Sequence, residues 1–530
     1  RRAFGAVRPA SWGDPFMRLK LSALFLSTAL ATGFGAGAVV LLAPIAPVAQ
    51  AQDAALQPGE VDVDALLKLA PPDMKASYES KSYDALSGIT TVKNLKFADA
   101  ANEAANSVVF GEVGIRGLDM AAFEHVFDFA KYGATPDETF QQLFGDVSIK
   151  NVVITANGAQ VGSIESLAFG GVQMKQLQVK PPGFGGAPQT DIDGIKFLGA
   201  LLDSTTAGPL SLANLSVEAD GGKIALASLA MEGFTRGQYG ASSMAGFEMA
   251  SMGNTTKMAS AKSDGGDISK VLPWMVKAEM PPVSPEPLLY IGGGTVSGLD
   301  YDIMGTKVTI ASYSVEPINF YWLVPTALKL TLSDMVIVPA PANAAELQAM
   351  GLSQLDLDFG LDWAFDGAAG TAQLKELRID ESSLFNTNLS LDLTGINLAQ
   401  IAGPAAMQMA LMQIGIVSGQ LVVKNNGGFD KMLAMGAKEQ GSTPEAMREQ
   451  MLAQLTAMES GMPGPDGQPV PLSDRMKGIV AALKSYIASP GTLTVRMQPA
   501  QPINAMNGMG AMMDPMAAAD ALGITVEATP

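Results

Sequence analysis

Residues 145–161 read GDVSIKNVVITANGAQV, and residues 208–224 read GPLSLANLSVEADGGKI. The two align without a gap, so that Val147 falls on Leu210, Ile149 on Leu212, Val152 on Leu215 and Ile154 on Val217. Asn157-Gly158 falls on Asp220-Gly221, and these dipeptides tolerate the positive φ that a two-residue hairpin turn requires at both centres. Each turn leads into a second apolar segment, residues 164–169 (IESLAF) and 226–231 (LASLAM). The same spacing returns at 92–97 (VKNLKF), 310–315 (IASYSV) and 374–379 (LKELRI), each after an X-Gly step at Gly88, Gly305 and Gly367. A recurring unit of this kind predicts a sheet built by repetition of one hairpin.

Working outward, residues 355–366 (LDLDFGLDWAFD) alternate without a break. Leu355, Leu357, Phe359, Leu361, Trp363 and Phe365 occupy one face, and Asp356, Asp358, Asp362 and Asp366 the other. Period two over this length predicts a half-buried antiparallel strand with one greasy and one acidic side. Further strands are expected at 108–115, 328–338 and 389–398. A helix is expected at 121–131, where Phe123, Val126, Phe127 and Ala130 form a stripe. From residue 427 the period becomes helical: Ser442-Thr443-Pro444-Glu445 is a start signal, Met447, Met451, Leu455 and Met458 follow on one face, and Ser473 opens a further helix.

The fold class is therefore α+β and β-dominated: quasi-repeated antiparallel β-hairpins forming an extended curved sheet, with interspersed helices and a C-terminal helical region. The expected organisation is a leader and signal peptide at 1–51, a first β-repeat region at 52–235, and a Gly/Ser/Met/Pro-rich linker or lid at 236–287. A second β-repeat region follows at 288–424, then a helical cap with a closing strand at 425–500 and a Met/Ala-rich tail at 501–530.

Composition narrows the chemistry. The chain of 530 residues contains no Cys and one His, which excludes disulfides, cysteine nucleophiles, zinc fingers and histidine-rich metal centres. A net charge of -18 argues against nucleic acid, whose phosphates need a basic surface. Arg18 and Lys20 precede a long apolar stretch that ends in Ala49-Gln50-Ala51, a small-residue pattern suited to signal peptidase. Cleavage there would place the mature start near Gln52 in the bacterial periplasm; the alternative is an uncleaved inner-membrane anchor with the same orientation. Met17 is the expected start of translation.

His125 lies three residues before Asp128, but no G-x-S-x-G elbow accompanies them, so a histidine on a helix surface is expected rather than a triad. Asp356, Asp358 and Asp362 lack a calcium loop and read as a solvated face. Gly292-Gly293-Gly294 reads as a hairpin turn, and Phe320-Tyr321-Trp322 as a core strand or a ligand-lining one. Methionine is concentrated late in the chain, and Met506, Met509, Met512, Met513 and Met516 offer thioethers at a spacing that suits Cu(I), or else fill apolar helix faces.

Tandem hairpins of the I-x-x-L-x-F kind behind an N-terminal apolar segment resemble the AsmA-like and TamB-like periplasmic proteins over residues 85–398. The resemblance implies a long curved sheet whose apolar concave face carries lipid. The chain departs from that class in its short length and in the helices that interrupt its sheet.

The leading expectation is a non-enzymatic periplasmic or cell-envelope protein with an apolar sheet surface that binds lipid or another hydrophobic envelope component. Leu355, Leu357, Phe359, Leu361, Trp363 and Phe365 would face the ligand. The alternative is periplasmic Cu(I) binding through the Met-rich C-terminal region. A third reading, an envelope hydrolase using carboxylates or serine with lysine, singles out no residue. No cofactor is expected; partners would be lipid or envelope proteins, with no nucleic acid, and membrane contact only through an uncleaved signal segment.

Overall fold

The computed structural model describes residues 59–67, 74–127, 137–177, 179, 191–219, 221–284, 286–398, 410–463, 469–504 and 515–530. It is β-dominated and antiparallel, with two compact units along the chain. The first comprises Arg1–Gln160, Leu167–Leu210 and Met231–Gly237; the second comprises Val161–Ser166, Ser211–Ala230 and Gln238–Pro530.

In the first unit Ile89–Asp99 pairs with Met74–Ser77, Ser80–Asp84 and Ser107–Arg116, and the last of these pairs with Val147–Ala156. Protein covers the apolar side of this ladder. Val61 and Val63, at the start of a short helix (Val63–Leu67), pack with Val92 and Val113, with Leu95, Phe110 and Ile149 against them. Thr90 is fully buried beneath that contact and its hydroxyl accepts a hydrogen bond from Val61 N at 2.9 Å. A second core joins the helix Met120–Val126 to Leu143, Phe144, Val172, Met174, Leu177 and Leu201.

The second unit carries a longer ladder. From Ser242–Ser251 the hydrogen-bonded order runs through Asn254–Ser263, Gly294–Ile303, Thr306–Val315, Ala327–Val338 and Leu355–Asp366. It continues through Thr371–Glu381, Phe385–Thr394, Gly415–Asn425, Thr492–Met497 and Thr525–Thr529. The first repeat segments are strands too, Val147–Ala156 and Ala159–Phe169, then Leu210–Ala219 and Gly222–Met231. The turn residues Asn157, Gly158 and Gly221 have positive φ, as that turn chemistry requires.

Alternation is broken once in most of these strands, at the same level. Asn94 and Asn151 in the first unit have φ of 48° and 55°, and both lie opposite Gly111, which the register skips on either side. In the second unit Asn214, Gly246, Gly298 and Asp334 have φ of 48°, 63°, 62° and 53°. The register skips Gly246 opposite Ala259, Gly298 opposite Ala259 and Ala311, and Ala311 opposite Asp334. Each strand thus inserts one extra residue at the step, so apolar positions advance by two, then three, then two: Val308, Ile310, Tyr313, Val315. The same face stays apolar on both sides of the step. That is the physical content of the I-x-x-L-x-F spacing, and the left-handed positions explain why Asn, Gly and Asp occupy it. The step ends at Leu355–Asp366, which is strictly alternating; beside it Ser333 and Asp334 form a bulge opposite Asp358, whose carboxylate accepts from Asp334 N at 2.8 Å.

Several expectations need correction. The stretch 236–287 is not a linker or lid, since it contains the hairpin Ser242–Ser251/Asn254–Ser263 and the helix Leu272–Lys277. Its strands were obscured because Gly246 interrupts the alternation and Met252-Gly253 supplies the turn. The tail contains the helix Pro515–Ala521 and the last rung of the ladder, so Thr492–Met497 does not close the sheet. Gly292 and Gly293 are no hairpin turn: they carry the chain from the short strand Tyr290–Ile291, paired with Gly266–Asp267, into the long strand Gly294–Ile303. Gly292 N donates to Gly265 O at 2.7 Å, and a Cβ on Gly292 would come within 2.4 Å of that oxygen. Short strands continue this arrangement through Ile318–Tyr321 and Val324–Pro325.

The C-terminal helices are Gly428–Glu439, Pro444–Glu459 and Asp474–Ala488; Thr443 and Ser473 side chains cap the second and third. The third packs against Thr525–Thr529 and against the second, burying Val480, Tyr486 and Ile487. Of the turn glycines, Gly367 does not adopt positive φ; Gly370 does (65°), while Gly367 lies under the Tyr321 ring.

The step can be tested directly. A Cβ at Gly298 would meet the Ala259 Cβ at 2.7 Å. Gly298→Val is therefore expected to lower unfolding free energy by about 3 kcal/mol in urea titration, combining the left-handed cost with overpacking. Gly298→Asn should cost less, and adding Ala259→Gly, which recreates the Asn151/Gly111 pairing, should recover most of that loss. Gly253→Asn, with open space around it, should be close to neutral.

Candidate functional site

Directly opposed residues in an antiparallel ladder share a face. In the second unit this assembles apolar rows that cross many strands. One row runs Phe247, Met258, Leu299, Ile310, Met335, Leu357. Another runs Tyr313, Leu332, Phe359, Ile379, and a third Leu330, Leu361, Leu377, Leu389, Leu421, Val495. Of these residues only Met258 is buried; the others are half-buried except Ile379, which is 46% exposed two residues from the end of Thr371–Glu381.

One end of the face is covered. Trp322 and Phe365 are buried with Ala372 and Leu398, and Tyr321, Leu323, Val324 and Trp363 pack around them. The Trp322 indole N–H donates to Pro281 O at 3.0 Å, and its φ of 54° is a costly conformation for so bulky a residue. The Tyr321 ring meets Phe365 edge-on at 6.0 Å. The aromatic run 320–322 is thus a plug over the lower end of the strand, and the six expected ligand-facing residues divide accordingly. Phe365 is core and Trp363 packs against it, whereas Leu355, Leu357, Phe359 and Leu361 remain half-buried on the apolar side.

The opposite side is polar. Glu248 lies 2.9 Å from Lys223 and 3.8 Å from Lys257, Asp362 lies 3.8 Å from Lys375, and Arg378 sits beside Glu376 and Asp380 over Gly360. Among the described residues no group of three or more carboxylates or histidines is arranged to hold a metal ion. Met506, Met509, Met512 and Met513 lie outside the described residues; Met516 is described only as part of the helix Pro515–Ala521. The segment 1–51 also lies outside them. Among the described residues no helix is long and apolar enough to cross a membrane.

His125 Nε2 is 3.0 Å from Asp137 Oδ2, while Asp128 lies outside the described residues. Among the described residues the most buried charge is Lys175, 3% exposed in the first unit, with Glu138 and Asp203 each 2.6 Å from its ammonium. Arg236 donates to the other Asp203 oxygen at 2.8 Å. Burial pushes the Asp203 carboxyl up, but hydrogen bonds from Lys175 and Arg236 more than offset it and hold its pKa below the ordinary value. Nothing in the sequence signalled this group, because Glu138, Lys175, Asp203 and Arg236 come from four separate elements.

A depressed folded-state pKa contributes stability above the unfolded carboxylate's pKa, and that contribution is lost as pH falls through the folded value. Asp203→Asn should therefore cost about 2–4 kcal/mol at neutral pH, leaving Lys175 under-compensated, with the gap from wild type shrinking in acid. Lys175→Met should cost less. Denaturation midpoints between pH 3 and 7 check both statements.

The model of one protein family, described as "Uncharacterized protein", matches residues 378–529, a span that runs from the strand Thr371–Glu381 through the helices to the last rung. No curated protein and no solved structure matches the chain.

Proposed function

We propose that this is a non-enzymatic, lipid-binding protein of the bacterial cell envelope, whose cargo is held along the apolar face of the second unit's ladder. The observation that carries this reading is the set of half-buried apolar rows, with Ile379 46% exposed inside the strand Thr371–Glu381, two residues from its end. Exposed apolar area of this extent is costly in water, and a long flexible hydrocarbon chain lying across parallel rows removes that cost without demanding fixed polar contacts. The first unit supports the reading by contrast, since its helix Val63–Leu67 packs over the equivalent surface. The apolar segment 21–48 followed by Ala49-Gln50-Ala51 favours a periplasmic location, or an inner-membrane anchor facing the periplasm.

The test is extraction of lipid from the purified protein, combined with titration of a fluorescent fatty-acid probe. Ile379→Glu and Phe359→Glu should each weaken probe binding about tenfold or more while costing roughly 1–3 kcal/mol of stability. Lys262→Glu, on the polar side, should leave probe binding unchanged. Absence of extractable lipid together with equal probe affinity in all four proteins would rule the reading out.

A further inference from the structure

Among the described residues of the second unit, the most exposed large apolar side chains stand on two successive hairpin turns. Met252 is 96% exposed and Met304 is 86% exposed. Both have φ of 53°, a conformation that favours Asn or Gly and disfavours Met. The corresponding turns of the first repeats use Asn157-Gly158 and Asp220-Gly221, so the backbone does not call for methionine here. The two turns are neighbours, because Asn254–Ser263 pairs with Gly294–Ile303, and the Asn254 side chain accepts from Met304 N at 3.0 Å. Asp302 accepts from Gly305 N at 3.2 Å. Both tips therefore present thioether side chains, and at the Met304 turn the N–H groups of Met304 and Gly305 are satisfied from within, which suits an environment that offers few hydrogen bonds.

The tips are also continuous with the apolar face. Ile303 is 53% exposed and Met249 is 40% exposed, and both belong to the apolar side, two residues beyond Tyr301 and Phe247. The plug of Trp322 and Phe365 closes the other end of the ladder.

We infer that Met252 and Met304 are membrane-docking prongs, inserting into the outer part of a lipid bilayer so that the apolar face opens onto it. Two isolated protruding side chains give a protein partner little area, well below the roughly 800 Å² per side of a stable interface. A bilayer needs no shape complementarity, and unbranched, flexible methionine suits it. The net charge of -18 directs the expectation to zwitterionic lipid, since an anionic surface would repel the chain. The proposal rests on the lipid-binding reading for its purpose, but its test is separate.

The chain has no cysteine, so single-cysteine labelling is clean. Met252→Cys and Met304→Cys, each in the full chain and carrying an environment-sensitive fluorophore, are mixed with phosphatidylcholine vesicles; Thr309→Cys on the polar side is the reference. Blue-shifted emission at 252 and 304, quenched by spin-labelled lipid, and no shift at 309 is the expected result. In parallel, Met252→Asn/Met304→Asn should reduce the vesicle-dependent signal of a label at Ile303→Cys at least tenfold. It should leave fatty-acid probe binding unchanged and raise the thermal midpoint, because Asn suits the turn better. No shift at 252 and 304, an equal shift at 309, or an undiminished signal in the double-asparagine protein overturns the docking proposal. Loss of probe binding in the Ile379→Glu protein with intact vesicle insertion bears on the cargo alone and leaves docking standing.

Discussion

The structure depends on keeping one face of the sheet apolar through a break in alternation. A strand that gains a single residue turns every later side chain to the other face, which would put leucines in water and lysines in the core. Here neighbouring strands gain that residue together, at one level, with a left-handed Asn, Gly or Asp facing a Gly or Ala. The small partner is as necessary as the left-handed residue, because a Cβ at Gly246 or Gly298 already comes within 2.7 Å of an alanine Cβ. The common step keeps Val296, Leu299, Ile310 and Tyr313 on one side and Ser260, Ser297 and Ser312 on the other.

That constraint also accounts for what could be read from the sequence. The strand 355–366 was legible because it has no step, and the pair 145–161 and 208–224 because both contain the same one, at Asn151 and Asn214. The hairpin 242–263 was not: Gly246 breaks the period, and Met252-Gly253 lacks the usual Asn or Asp. Short strands such as Gly266–Asp267 and Tyr290–Ile291 contain too few residues to show any period. The last rung, Thr525–Thr529, follows a methionine-rich stretch whose composition hid it.

The site was legible in part. Alternation placed Leu357, Phe359 and Leu361 on the correct side, but it could not distinguish an open face from a covered one. That distinction comes from Trp322, which lies far from Phe365 in sequence and buries it. The exposed methionines were invisible for a related reason: an X-Gly turn announces its shape through glycine and leaves the first residue's exposure unstated. The ionic group around Lys175 requires four distant segments to meet, which no local pattern records.

Stepping each rung equally has a bearing on how such a chain can change over generations. A whole hairpin brings its own left-handed residue and its own small partner, so duplicating or deleting one leaves the remaining rungs in phase. Loss of a single codon within a rung instead sets that rung against both neighbours. Length variation in this architecture should therefore be quantised in complete hairpins, with the turns between them free to drift.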